Sequence, residues 1–180
     1  MKNRNIFVLV FLVFSNFLYA QGTTCNSSDP FCTGTVSTFP AGVNVQSAFW
    51  TAPGNNYGCL GTSPNPAWYY LEIDQPGNLL INITNNLGSS QDIDFAIWGP
   101  FSNLTTAMNN CGSLGQPHDC SYSPAAYPEQ VSINGASTGD VFILLITNFS
   151  NTPCNVSFTN VGGNATTDCS IINPCSINSI

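Results

Sequence analysis

Hydrophobic and polar residues alternate with a period of two over most of the chain beyond residue 66, and no long stretch follows the 3.6 period of an amphipathic helix. Residues 67–74 (AWYYLEID) and 78–85 (NLLINITN) are the clearest strands. Between them, Pro76 presets φ for a turn and Gly77 accepts positive φ, so the pair is predicted to form a hairpin. Residues 93–98 (IDFAIW) predict a third strand stopped by Gly99-Pro100, and residues 129–134 (EQVSIN) a fourth, ending in a turn at Gly135. Residues 140–149 (DVFILLITNF) carry large apolar side chains on both faces, which suits a central strand. Residues 155–161 (NVSFTNV) follow a turn at Pro153, and weaker strands are expected near 35–39 and 45–50. About eight short strands with Gly, Pro and Asn turns and no helix predict an all-β fold, an antiparallel β-sandwich of jelly-roll-like form.

Two regions do not fit the alternation. Residues 99–128 run for about 30 positions without a convincing strand, a length that in a compact domain points to a functional or disordered loop. From Gly162 onward large apolar residues are few, so residues 21–161 are expected to form the sandwich and 162–180 a cysteine-containing tail or linker. The contact loops expected at the ends of the sheets are 54–66, 99–128 and 148–153.

The start of the chain has a different character. Residues 1–5 are positive, residues 6–14 (IFVLVFLVF) are apolar, and Tyr19-Ala20 places a small residue before Gln21. This is the pattern of a secretory signal peptide over residues 1–20, too short in its apolar part to span a bilayer. All eight cysteines follow it, and an even number behind such a leader predicts a disulfide-stapled protein in a secreted, extracellular or cell-surface location. Of the many connectivities, the local loops Cys25–Cys32 and Cys111–Cys120 are expected, with Cys59, Cys154, Cys169 and Cys175 left open. One histidine and no C-x-x-C pair argue against zinc.

Charge narrows the chemistry. Both basic residues, Lys2 and Arg4, lie in the leader, and all nine acidic residues lie after it. A chain without cations offers nothing to neutralise phosphates, so nucleic acid is excluded as a partner, as is polybasic attraction to a membrane surface. On the third strand Ile93, Phe95 and Ile97 are expected to face the core, with Asp92, Asp94, Ala96 and Trp98 on the other side. Asp92 and Asp94 then stand roughly 7 Å apart with no Lys or Arg to separate their charges. Such carboxylates must accept backbone N–H bonds, hold a proton or bind a metal, and an oxygen-only environment suits Ca²⁺. The candidate metal set is Asp92 and Asp94, completed by Asp119 or by Asn148 and Asn151; the alternative is that the two aspartates are simply solvated. Tyr57, Trp98, Tyr122 and Tyr127 are candidate stacking faces for a glycan, against the plainer reading of rings packed in the core. His118 beside Asp119 is a fragment of a charge-relay pair, but no G-x-S-x-G nucleophile motif is present, and a surface histidine is the simpler reading.

Residues 56–70 (NYGCLGTSPNPAWYY), 92–101 (DIDFAIWGPF), 119–123 (DCSYS) and 140–151 (DVFILLITNFSN) together resemble the N-terminal module of large secreted surface proteins of Bacteroidetes, of the flavobacterial gliding and adhesin-like type. The resemblance covers about residues 25–170 and implies type IX export and a surface or adhesive role; it carries over no catalytic residue. Members of that group continue into a C-terminal sorting domain that does not occur up to Ile180, so the sequence is expected to be a segment of a longer protein or to be exported and anchored differently. A looser likeness, to CUB and bacterial pre-peptidase C-terminal domains, is one of fold, in which the acidic strand at 92–98 can belong to a calcium site.

The expected function is therefore a secreted cell-surface adhesion or recognition module, non-catalytic, calcium-ordered, with a glycan or protein as extracellular partner. The alternative is a structural spacer or assembly module that pairs with copies of itself through strand edges. A hydrolase using Asp92 and Asp94 is disfavoured, because two side chains on one strand are crowded for acid and nucleophile roles.

Overall fold

The computed structural model describes residues 22–35 and 38–172. The predicted signal peptide and the end of the predicted tail, with Cys175, lie outside the described residues.

Among the described residues, ten strands form two sheets. They are β1 (Asp29–Pro30), β2 (Thr38–Pro40), β3 (Pro66–Gln75), β4 (Gly77–Asn85), β5 (Ile93–Phe101), β6 (Asp119–Ser121), β7 (Glu129–Ala136), β8 (Val141–Asn148), β9 (Asn155–Gly163) and β10 (Thr166–Thr167). One sheet has the order β1-β3-β8-β5-β6, with β10 added to β3; the other has the order β2-β9-β4-β7. All pairings are antiparallel except the short parallel β1–β3 contact. The chain crosses between sheets from β3 to β4, β4 to β5, β6 to β7, β7 to β8 and β8 to β9, which makes the sandwich jelly-roll-like.

The predicted hairpin of β3 and β4 does not form, although both strands are present. β3 pairs with β8, and β4 lies between β7 and β9 in the opposite sheet. Pro76-Gly77 turns the chain over the end of the sandwich instead of back alongside itself. Gly77 has φ 140°, and a Cβ there would collide with the Asn164 side chain, so the crossing needs glycine.

Two apolar clusters form instead of one. Between the sheets, Tyr69, Leu71 and Ile73 of β3 meet Ile93, Phe95 and Ile97 of β5, Leu144 and Ile146 of β8, and Ile81, Val131 and Phe158 opposite. The outer face of the larger sheet carries Trp68, Ala96, Trp98, Ile143 and Leu145, and it too is covered, by Ala48, Tyr57, Leu60, Ala107 and Leu114. This explains why β8 is apolar on both faces: every one of its eight residues is buried. The adjacent Tyr69 and Tyr70 divide as period two requires, Tyr69 inward and Tyr70 against the outer cluster.

The cover is built from the segments that lacked strand pattern. Residues 45–50, expected as a weak strand, turn into helix α1 (Ala48–Thr51), because the Ser47 hydroxyl accepts the Phe49 N–H and caps it. The long 99–128 stretch contains helix α2 (Leu104–Asn109), capped by Asn103 through the Thr106 N–H at 2.8 Å, and the strand β6. β5 does not stop at Gly99-Pro100 but continues to Phe101 through a shift of register.

Among the described residues, three disulfides hold this cover and the tail: Cys25–Cys111, Cys32–Cys169 and Cys59–Cys120. The expected local loops Cys25–Cys32 and Cys111–Cys120 are corrected by these pairings. The extended strand β1 separates Cys25 from Cys32 and carries Cys25 into the outer cluster, where Cys111 meets it. β6 likewise draws Cys120 to the 54–66 loop and away from Cys111. The tail boundary at 162 is corrected as well. β9 runs to Gly163, β10 pairs with β3, and Cys169 is bonded to Cys32, so residues 162–172 are part of the sandwich. Cys154 is buried and, among the described residues, has no disulfide partner. The disulfides indicate an oxidising, non-cytoplasmic location. Among the described residues no helix is long and apolar enough to cross a membrane.

Candidate functional site

Asp94 lies on the outer side of β5, as alternation predicts, but the cover places it out of water with only 1% of its surface exposed. Its Oδ1 accepts the Ser123 N–H at 3.1 Å, while Oδ2 is buried without a hydrogen-bond partner. Glu129, at the start of β7, is 3% exposed and also has a buried, unpartnered oxygen. Asp92 is half-buried, with Oδ1 in the same condition.

Asp94 and Glu129 both feel the charge of Asp92. Burial, then the charges of Asp92 and Glu129, push the Asp94 pKa up to about 7, against a lowering by the Ser123 N–H. Glu129 is raised by burial, and further by Asp92 and Asp119, while a hydrogen bond from Ser121 works the other way. Asp92 is raised by burial alone. A Lys or Arg would normally relieve such crowding, and the sequence has none after Arg4. Glu129 was legible in principle, since it shares the inward phase of Val131 and Ile133 on β7, where an acid is out of place.

The other predicted metal ligands are already engaged. Asp119 accepts the Cys120 N–H at 2.8 Å on one oxygen and the Ser132 N–H at 2.7 Å on the other, tying β6 to β7. Asn148 is fully buried; its amide donates to Gly42 O and Thr152 O and accepts from Gln91 Nε2. Asn151 exchanges bonds with Asn44. These residues brace loops, and only Asp92 and Asp94 of the expected set lie with unpartnered oxygens. Among the described residues, no group of three or more His, Cys, Asp or Glu side chains is placed to hold a metal ion, so Asp92 and Asp94 are at most a pair.

The predicted stacking rings divide in two. Trp98 is buried, stacked on Trp68 at 5.7 Å, with its Nε1–H donating to Asn56 O. Tyr57 meets Trp98 edge-on at 5.9 Å, and its hydroxyl donates to Ala48 O and Ala52 O. Both are core residues and present no face to a ligand. Tyr122 and Tyr127 are exposed; the Tyr127 hydroxyl donates to Asn85 O, and the Tyr122 hydroxyl lies 3.1 Å from Thr62 Oγ1. His118 and Asp119 form no relay: His118 Nε2 accepts the Asn134 N–H, and Asp119 serves the backbone.

No protein-family model and no curated protein matches the chain.

A groove lies where the predicted contact loops 54–66 and 148–153 meet α1. Ser47, Phe49, Trp50, Thr62, Pro64 and Phe149 line an open hollow of about 550 Å³. Trp50 is 77% exposed, the most exposed large apolar residue of those described, and Phe149 is half-exposed. The 148–153 loop was expected to be a contact surface; the position of Trp50 after a capped turn, outside the strand first assigned to it, was the hidden part.

Proposed function

We propose that the protein is a secreted, non-catalytic recognition or adhesion module, and that calcium at Asp92 and Asp94, its other donors drawn from loop oxygens and water, orders the loops covering the outer face of its larger sheet. The observation that carries this reading is the set of buried, unpartnered carboxylate oxygens in a chain without a counter-charge after Arg4. Calcium accepts carboxylate, hydroxyl, carbonyl and water oxygens in loose geometry, so the unpartnered oxygens of Asp92 and Asp94 are suitable anchors for an ion whose remaining donors are loop carbonyls and water. The resemblance to secreted Bacteroidetes surface modules agrees with this role. The spacer reading has less support, because the outer N–H groups of Ser132 and Asn134 on β7 are taken by Asp119 and His118 and are not open for strand pairing.

The test is a thermal melt at pH 7.5 in EDTA and in millimolar Ca²⁺. Calcium bound a hundredfold above its Kd stabilises by about 2.7 kcal/mol, which for a domain of this size is a rise of roughly 5 °C or more. The double variant Asp94→Asn, Glu129→Gln is expected to melt higher than the parent in EDTA, since two crowded charges are gone, and to ignore calcium. A parent melting temperature that calcium does not move, with no heat of binding by calorimetry, refutes the calcium site.

A further inference from the structure

We infer that the Trp50–Phe149 groove is a binding site for a neutral saccharide, one sugar ring lying against the Trp50 indole, with its walls held in place by the carboxylate cluster. The inference rests on the recognition reading above and gives it a site and a ligand class.

Four observations carry it. First, the lining is aromatic and apolar with hydroxyl groups at Ser47 and Thr62, the mixture that suits the C–H faces and hydroxyls of a sugar. Second, no lining residue is charged, and the chain has no Lys or Arg after Arg4, so a sulfated or carboxylated ligand finds no partner and meets a negative field. Third, the hollow of about 550 Å³ falls within the size range of small-molecule sites. Fourth, both walls are tied to the acidic cluster. The Phe149 N–H donates to Asp92 O at 3.1 Å, and the Asp92 N–H donates to Ser150 Oγ at 2.9 Å. On the other side the Ser123 N–H donates to Asp94, and the neighbouring Tyr122 reaches Thr62 in the groove wall through its hydroxyl. Both walls of the groove are thus hydrogen-bonded to the segment that carries Asp92 and Asp94, one through the Asp92 backbone and the other through the Asp94 carboxylate.

Trp50 gives the site its own reporter. Trp68 and Trp98 are buried, so quenching of tryptophan emission by acrylamide reads Trp50. The experiment titrates the protein with neutral gluco-, manno-, galacto- and xylo-hexasaccharides and with sulfated and uronic-acid counterparts, in Ca²⁺ and in EDTA, and follows emission and calorimetric heat. At least one neutral oligosaccharide is expected to protect Trp50 from quencher, with the charged counterparts at least tenfold weaker. Trp50→Ala, at an exposed position that leaves the fold intact, is expected to weaken binding at least tenfold, and Trp50→Phe to restore part of it. EDTA is expected to weaken binding by a similar factor. Saccharide silence combined with Trp50-dependent binding to whole cells or to a second copy in light scattering overturns the sugar assignment while keeping the recognition reading. Silence towards saccharides, cells and self-association together overturns both. Saccharide binding unaffected by Trp50→Ala places the ligand elsewhere and also overturns the inference.

Discussion

Replacing Trp98 with alanine is expected to cost about 3–5 kcal/mol, a large share of the stability of a domain this size. The residue is 1% exposed and holds the outer cluster together: it stacks on Trp68, meets the edge of Tyr57 and donates its indole N–H to Asn56 O. The loss should be unequal across the molecule. The core between the sheets does not contain Trp98, so amide exchange in β4 and β9 is expected to report only the global loss. The 54–66 and 104–123 segments, which lie over Trp98, are expected to open first. Denaturant unfolding of Trp98→Ala with exchange measured by segment checks both parts. A cost below about 1 kcal/mol would mean that the outer cluster is a loose cover and not a second core.

Breaking Cys32–Cys169 with a double Cys→Ala substitution is expected to cost about as much. The bond closes a sequence separation of 137 residues, and constraint of the unfolded chain at that separation contributes roughly 4–5 kcal/mol on the loop-entropy model. It also holds the segment after β10 against the segment after β1, where Thr167 Oγ1 accepts the Thr33 N–H at 2.8 Å. The expected result is a lower denaturation midpoint and early proteolysis after residue 163, with Cys25–Cys111 and Cys59–Cys120 still formed in a mass-spectrometric map. Full retention of the midpoint would show that β10 and its hydrogen bonds hold the tail without the bond.

The strands were legible because period two survives in the sequence wherever one face is buried. β4 and β7 show it plainly, with Leu79, Ile81 and Ile83 facing Val131 and Ile133. Which strands pair was not legible at β3 and β4, since a Pro-Gly turn can reverse a strand within a sheet or carry it across a sandwich, and the choice lies in partners far along the chain. The same distance hid the disulfides: all three join residues at least 61 apart, which spacing alone does not reveal. Asp94 was singled out by its phase opposite Phe95, but its burial depends on a cover made of segments without strand pattern. Trp98 follows the plainer reading of a packed ring, because an outward phase means solvent only when nothing lies over the sheet, and Tyr57, in the covering loop, packs onto it. The groove at Trp50 depended on a four-residue helix started by one serine cap, a signal too short for periodicity to detect.

The pH dependence of stability, measured by urea unfolding between pH 4 and pH 8.5 in EDTA, tests the idea of uncompensated carboxylates most directly. Asp94 is raised from 3.8 to about 7 by burial, then by Asp92 and Glu129. The folded state therefore binds more protons than the unfolded state between those values, and stability must fall as pH rises through that window and level off above it. Asp94 contributes a loss of roughly 2–4 kcal/mol, and the raised Glu129 and Asp92 act in the same direction. Asp94→Asn is expected to flatten most of the slope, and saturating calcium to restore stability above pH 7. Stability that stays level or climbs from pH 4 to pH 8.5 in EDTA would contradict a buried, unneutralised cluster.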